Sequence, residues 1–184
     1  MNSKKIIKES IKVLIIGSLL SSFGGMSLEL IRTKLTLFLP LVIVLPALTD
    51  MVGDAGTIVV SKITTYLYLG KFKKKLLTKF ILDLFLLLLK IFSISAIYVT
   101  FLALFIGYIK EGFSFNFMFL LKMLLIILIT TFTIILIIFS VALVGSRYAF
   151  RRNIDPDDLL IPITTAIADL GSLITFSLLV YFIL

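Results

Sequence analysis

The feature that most constrains the fold is a series of apolar segments separated by short polar stretches. A membrane-crossing helix needs ~20 consecutive apolar residues. The chain has 184 residues, of which 60% are hydrophobic, and its mean hydropathy is +1.21, more than a soluble domain of this size needs. The sequence therefore predicts an all-α, polytopic membrane protein, a single domain over residues 1–184 with five transmembrane helices. The predicted spans are about 11–30, 36–69, 76–109, 115–145 and 157–184.

The positive charge of the chain is distributed unevenly between the predicted loops. The net charge is +8. If the N-terminus is inside, the outer side carries only Arg32, Lys34 and Lys110, and this asymmetry predicts an N-inside, C-outside orientation. Orientation and contact with anionic membrane lipids account for the charge, so nucleic acid is not an expected partner. The inner side would carry Lys4, Lys5, Lys8, Lys71, Lys73, Lys74, Lys75, Lys79, Arg147, Arg151 and Arg152.

The chain contains no Cys and no His. The absence of Cys excludes disulfides, thiolate metal sites and Cys nucleophiles. The absence of His removes the commonest general base and the commonest transition-metal ligand. The remaining ligands are carboxylates, hydroxyls and backbone carbonyls, which suit hard cations such as Mg²⁺, Ca²⁺ or Mn²⁺.

Three aspartates lie near the middle of predicted spans. Asp50 and Asp54 are four residues apart, on one helix face near the middle of the second span, and Asp169 lies ~18 Å into the last. A carboxylate at such depth is costly unless it faces the bundle interior or an aqueous path, and a cation is the natural partner. The alternatives are a polar stripe facing a water-filled vestibule for Asp50 and Asp54, and a protonated Asp169 hydrogen-bonded to a neighbouring helix. Hydroxyl residues extend the polar stripe around Asp169, namely Thr164, Thr165 and Ser172.

Small residues and prolines predict local features of the spans. The pairs Gly17-Ser18, Ser21-Ser22 and Gly24-Gly25 favour close helix packing of the first span. Gly171 leaves room for close packing or for exposed backbone carbonyls. In the third span, Asp83 and Lys90 lie seven residues apart, too distant to pair, and the sequence assigns them no role. The second span is predicted to be kinked or locally broken because it contains Pro40, Pro46, Gly53 and Gly56.

Two stretches resemble one known family, the MgtE magnesium transporters and their eukaryotic solute-carrier relatives. The first is similar to the family's second transmembrane helix, which carries a proline, a Gly-Asn pair, a small residue and a basic residue. It reads Pro46-Ala-Leu-Thr-Asp-Met-Val-Gly53-Asp54-Ala-Gly56, followed by Ser61-Lys62 and Gly70. The second is similar to the family's Asp-Pro-Asp-Asn lead-in and last helix. It reads Asp155-Pro156-Asp157-Asp158, then Pro162, then Ala168-Asp169-Leu170.

The resemblance implies a homodimeric channel or transporter in the cell membrane whose substrate is a divalent cation, foremost Mg²⁺, with Mn²⁺ or another divalent cation as alternatives. It makes Asp169 the pore aspartate, with Asp54 and Asp50 as further cation-binding residues. Asp54 stands where the family has Asn, which adds a negative charge. The sensor domains that gate bacterial members have no counterpart here, so their mode of gating is not carried over. The expected lining around the ion comprises Gly53, Gly56, Thr165, Gly171 and Ser172.

Two other functions are compatible with buried aspartates. One is a non-transporting membrane assembly partner. The other is an intramembrane aspartyl protease, which uses Gly-x-Gly-Asp and Tyr-Asp motifs. Here the matching positions read Met51-Val52-Gly53-Asp54 and Ala168-Asp169, without the first Gly and without the Tyr. We therefore expect a transporter and not an enzyme.

Overall fold

The computed structural model describes residues 3–69, 74–111 and 116–184, and these residues form helices without any strand. This confirms the all-helical prediction. Residues 70–73, within the predicted basic inner loop, and residue 115, where the fourth span was predicted to begin, lie outside the described residues. The elements are α1 (Ser3–Met26), a 3₁₀ helix (Ser27–Ile31), α2 (Arg32–Leu37), α3 (Leu39–Tyr68), α4 (Lys74–Glu111), α5 (Phe117–Arg151) and α6 (Pro156–Ile183).

Four of the described helices are long and apolar enough to cross a membrane. They are α3, the stretch Lys79–Lys110 of α4, α5 and α6. This supports a multi-pass membrane protein. The first predicted span corresponds to α1, which is not one of these four, so the number of five crossings stays a prediction.

Helix α6 lies at the centre of the bundle and packs against α1, α3 and α5. Glycines, which have no side chain, permit this close packing. A Cβ added to Gly24 of α1 would lie 3.0 Å from the Leu170 Cα, and one added to Gly171 would lie 2.8 Å from Ile134 Cδ1 of α5. Helix α4 packs on α3 and α5, and half of its residues between Lys79 and Lys110 are exposed.

Helices α1 and α6 run parallel. Ser21 contacts Asp169, and further along both elements Ser27 contacts Ser177, with the two hydroxyl oxygens 3.1 Å apart. Residue numbers therefore rise in the same direction on both sides of the contact. A parallel first and last helix is the arrangement that five membrane crossings require.

The predicted break in the second span lies at a different residue from the one expected. Helix α3 runs without interruption through Pro46, Gly53 and Gly56, so it is not broken at these residues, and the alternative of a kink stays a prediction. The interruption is at Phe38, which has φ −126° and ψ 87° and separates α2 from α3.

The position of Pro40 explains why this proline does not interrupt α3, whereas α3 continues through Pro46 with one backbone hydrogen bond fewer. Pro40 lies in the first turn, where a backbone N–H has no partner within the helix, so its missing donor costs nothing. Pro46 lies inside the helix and removes one backbone hydrogen bond. The neighbouring Thr49 hydroxyl donates to the carbonyls of Leu45 and Pro46, at 3.1 and 3.0 Å.

Candidate functional site

One face of α3 is exposed along most of the helix and carries both predicted aspartates. Asp50 and Asp54 are exposed and make no hydrogen bond or ion pair to any residue that the structure describes. The opposite face is fully buried, with Leu48, Val52 and Ala55 all at 0% exposure. We call the exposed face the α3 outer stripe; it consists of Val42, Pro46, Asp50, Asp54, Ile58 and Lys62.

Asp169 is half-buried on α6, and its carboxylate is held by a neighbouring helix. The Ser21 hydroxyl of α1 donates a hydrogen bond to Asp169 Oδ2 at 3.0 Å. The Ser172 hydroxyl, which is fully buried, donates to the Asp169 backbone carbonyl at 3.2 Å. The carboxylate is therefore oriented by α1, and Ser172 contacts only its main chain among the contacts described.

Glycines of α3 bring this helix close to α6. A Cβ on Gly56 would lie 2.8 Å from Thr164 Oγ1, and one on Gly53 would lie 3.8 Å from Thr165 Cγ2. Residue numbers fall along α3 as they rise along α6, so the two helices run antiparallel. The Thr165 hydroxyl donates to the Ile161 carbonyl at 2.9 Å, which leaves its oxygen lone pair free to accept a further hydrogen bond.

This antiparallel contact places two of the aspartates at one level. Asp50 lies three residues before Gly53, ~4.5 Å along α3, and Asp169 lies four residues after Thr165, ~6 Å along α6. Both displacements point the same way from the Gly53–Thr165 contact. The fold therefore brings Asp50 and Asp169 to similar depth in the bundle, with Asp54 about one turn away.

The other predicted lining residues divide into two groups. Gly53, Gly56 and Thr165 lie at the α3–α6 contact. Gly171 lies on a different face of α6 from Asp169, because two residues along a helix correspond to a rotation of ~200°, and a Cβ at this position would contact Ile134 of α5. Gly171 is thus a packing glycine of the α5–α6 contact.

Sequence reasoning did not single out Ser21 as a partner of Asp169. The only available signal was the run of small residues in the first span, which predicts packing without saying which residue meets which. Six small residues share this run, and the structure turns Gly17, Ser21 and Gly24 toward α6. Ser18, Ser22 and Gly25 are exposed instead.

Within the described residues, no group of three or more Asp, Glu, His or Cys side chains is placed to hold a metal ion. The carboxylates of the candidate site are therefore separate groups on two helices. Asp83 and Lys90 are both exposed on α4 and take no part in this arrangement.

Comparison with known proteins identifies the family. The family model MgtE, described as a divalent cation transporter, matches residues 45–179, well over half of the 184-residue chain. No curated protein and no solved structure matches the chain. Because members of this family are transporters and not enzymes, the protease alternative is wrong. The matched region contains the α3 outer stripe from Pro46 onward together with Asp169, and the chain belongs to the MgtE family of divalent cation transporters.

Proposed function

We propose that the chain is one five-helix unit of a homodimeric channel or transporter, oriented N-inside and C-outside, that conducts Mg²⁺ along its two-fold axis. Asp169 of each subunit holds the ion, and Asp50 and Asp54 line its route. The observation that carries the proposal is the α3 outer stripe, which exposes two carboxylates near the middle of a candidate membrane span.

Lipid is a poor environment for this stripe. An aspartate at the centre of a membrane helix costs about 2.5–3.5 kcal/mol on insertion scales, and exposed residues of this kind face protein or water rather than lipid. A second copy related by a two-fold axis would cover the stripe with the same stripe, since such interfaces are self-complementary. The shared path would then be lined by two copies each of Asp50, Asp54 and Asp169.

The chemistry of these side chains fits a cation that keeps much of its water. Mg²⁺ dehydrates reluctantly and is usually bound through one or two carboxylates while it retains several waters. Carboxylates on separate helices, together with the Thr165 hydroxyl, can accept hydrogen bonds from those waters. Asp50 and Asp54 also raise the local concentration of cations near the entrance to the site.

The membrane potential supplies a driving force for entry. Moving one charge across 100 mV is worth ~2.3 kcal/mol, so a divalent ion gains about twice that on entering an inside-negative compartment. Uncoupled influx down this gradient needs no further energy source.

Flux into liposomes tests the ion path. Purified protein is reconstituted into vesicles that contain a Mg²⁺-sensitive dye, and wild type is compared with Asp169→Ala. We expect influx to fall about tenfold or more, because a carboxylate that holds the ion is lost. The matched control is Asp83→Ala, which removes an exposed carboxylate of α4 and should leave influx unchanged. Equal influx through wild type and Asp169→Ala would refute the assignment and favour a non-transporting assembly partner.

Cross-linking tests the dimer separately. The chain has no Cys, so a single introduced thiol reports its own neighbourhood. Ile58→Cys lies on the α3 outer stripe, whereas Leu87→Cys lies on the exposed face of α4. A short bifunctional thiol reagent should join two copies in membranes through the Ile58→Cys variant and not through Leu87→Cys. The reverse pattern would place the interface on α4 and contradict the proposed pore.

A further inference from the structure

Helix α1 lies outside the residues that the MgtE family model matches, yet it supplies the side-chain partner of the candidate ion-binding aspartate. We propose that Ser21 is a positioning residue for Asp169, and that its hydrogen bond sets the affinity of the site for the transported divalent cation. This inference rests on the proposed function, because it assigns to Asp169 the role of holding the ion.

The geometry fixes the hydroxyl and the carboxylate against each other. The Ser21 hydroxyl donates to Asp169 Oδ2 at 3.0 Å, and both side chains are half-buried. Three residues later, a Cβ on Gly24 would lie 3.0 Å from the Leu170 Cα and 3.5 Å from the Asp169 carbonyl oxygen. The helix backbones are therefore in close contact beside the hydrogen bond, so Ser21 reaches the carboxylate without a long or flexible side chain.

Further contacts join the segment that follows α1 to the C-terminal part of α6. The hydroxyls of Ser27 and Ser177 lie 3.1 Å apart. Beyond them, Lys34 Nζ of α2 donates to the carbonyls of Val180 and Tyr181 at 3.0 and 2.9 Å. The two Lys34 hydrogen bonds and the close approach at Gly24 hold this segment against α6 as well, so the Ser21 hydroxyl stays at the level of Asp169 when the Ser27 contact alone is removed.

The hydrogen bond has a defined effect on the carboxylate. A donor on Oδ2 restrains rotation of the carboxyl group and leaves Oδ1 free to face a cation or its bound water. Partners that orient a metal-binding side chain without touching the metal change metal affinity by about 10–100-fold when they are removed. Loss of the Ser21 hydroxyl should therefore weaken cation binding while the conduction path itself stays intact.

The chain offers two matched controls for Ser21. Ser22 is the next residue, is exposed, and donates to the Ser18 carbonyl of its own helix at 2.8 Å. Ser27 makes a hydroxyl contact to α6 but not to Asp169. Ser22→Ala thus controls for the loss of a serine in α1. Ser27→Ala controls for the loss of a hydrogen bond between α6 and the 3₁₀ helix that follows α1.

The experiment measures Mg²⁺ influx into liposomes over a range of external Mg²⁺ concentrations. We expect Ser21→Ala to raise the half-maximal concentration about tenfold while maximal influx stays within about twofold of wild type. Ser21→Thr keeps the hydroxyl and should stay near wild type. Ser21→Cys carries a weaker donor and should be intermediate, which keeps the test available if the alanine variant does not fold. Ser22→Ala and Ser27→Ala should keep the wild-type half-maximal concentration.

Three results separate failure of this inference from failure of the proposed function. If Asp169→Ala abolishes influx and Ser21→Ala keeps the wild-type half-maximal concentration, the positioning role is wrong and the ion path stands. The role is also wrong if Ser21→Ala and Ser27→Ala lower thermal stability and maximal influx equally without changing that concentration. If Asp169→Ala leaves influx unchanged, the proposed function itself fails.

Discussion

Replacing Gly56 by alanine tests whether close approach of α3 to α6 shapes the site. The added Cβ would lie 2.8 Å from Thr164 Oγ1, 3.0 Å from Thr164 Cβ and 3.6 Å from Ile138 Cγ2. Thr164 is fully buried, and its hydroxyl donates to the carbonyls of Leu160 and Ile161 at 2.8 and 3.1 Å. The threonine therefore has no free direction in which to move, and α3 has to shift away from α6.

Two opposing terms set the size of the effect. Overpacking of a buried contact typically costs about 1–3 kcal/mol, while Gly to Ala in a helix interior returns about 1 kcal/mol. We therefore expect Gly56→Ala to destabilise the protein by about 0–2 kcal/mol relative to wild type, and by about 1–3 kcal/mol relative to Gly53→Ala, which gains the same helix propensity. Gly53→Ala is the matched control, because its Cβ would lie at an ordinary contact distance of 3.8 Å from Thr165 Cγ2 and brings no overpacking cost.

Thermal stability in detergent gives the readout. The chain contains neither Trp nor Cys, so unfolding is followed by size-exclusion chromatography of heated samples rather than by tryptophan fluorescence or a thiol-reactive dye. A loss of 1 kcal/mol lowers the midpoint by roughly 2–4 °C in a chain of this size, so Gly56→Ala should melt up to about 8 °C below wild type and about 2–12 °C below Gly53→Ala. Gly53→Ala should not melt lower. Adding Thr164→Ala removes the clashing hydroxyl, so the double variant should lose less stability than the two single variants together. Equal midpoints for Gly53→Ala and Gly56→Ala would refute the packing argument.

Two further substitutions probe charge. Asp54→Asn introduces an amide, the residue type that the resemblance to the family leads us to expect at this position; it should keep transport in the liposome assay with a changed preference between Mg²⁺ and Ca²⁺, and loss of folding would instead indicate a structural role. Lys34→Met removes the two hydrogen bonds to the carbonyls of Val180 and Tyr181 and should cost about 1–3 kcal/mol, measured as a lower thermal midpoint. Lys34→Arg keeps a cationic donor and should lose less, and a midpoint equal to wild type in both variants would show that the contact does not stabilise the protein.

Hydropathy predicted most helix boundaries well because apolar runs end at polar residues. The spans predicted at 76–109 and 157–184 correspond to Lys74–Glu111 and Pro156–Ile183. The start of α6 has a local cause that the sequence displays: the Asp155 side chain accepts a hydrogen bond from the Asp157 N–H at 3.0 Å, and Pro156 occupies the first turn. Such signals are local, so sequence reasoning can find them.

The break at Phe38 had only one such signal, Pro40 in the first turn of α3. Phe38 is apolar, lies in an apolar run, and differs in no obvious way from its neighbours. In the fold its ring stacks on Phe119 of α5, with the ring centroids 5.0 Å apart. A contact between residues so distant in sequence depends on how α5 is placed, and hydropathy carries no information on that placement.

The same reasoning explains why the sequence indicates the three aspartates but not Ser21. A carboxylate near the middle of a membrane span is costly unless it faces protein or water, so sequence alone indicates that Asp50, Asp54 and Asp169 have a special environment. A serine there costs little, and Ser21 and Ser22 belong to two stripes of small residues that differ by a rotation of ~100° about α1. Because Gly17 contacts Ala166 and Gly24 contacts Leu170, the stripe that contains Ser21 faces α6. Ser21 therefore points toward Asp169. A difference in cation affinity between Ser21→Ala and Ser22→Ala would thus report the rotational setting of α1, because the two variants remove the same atom from adjacent residues.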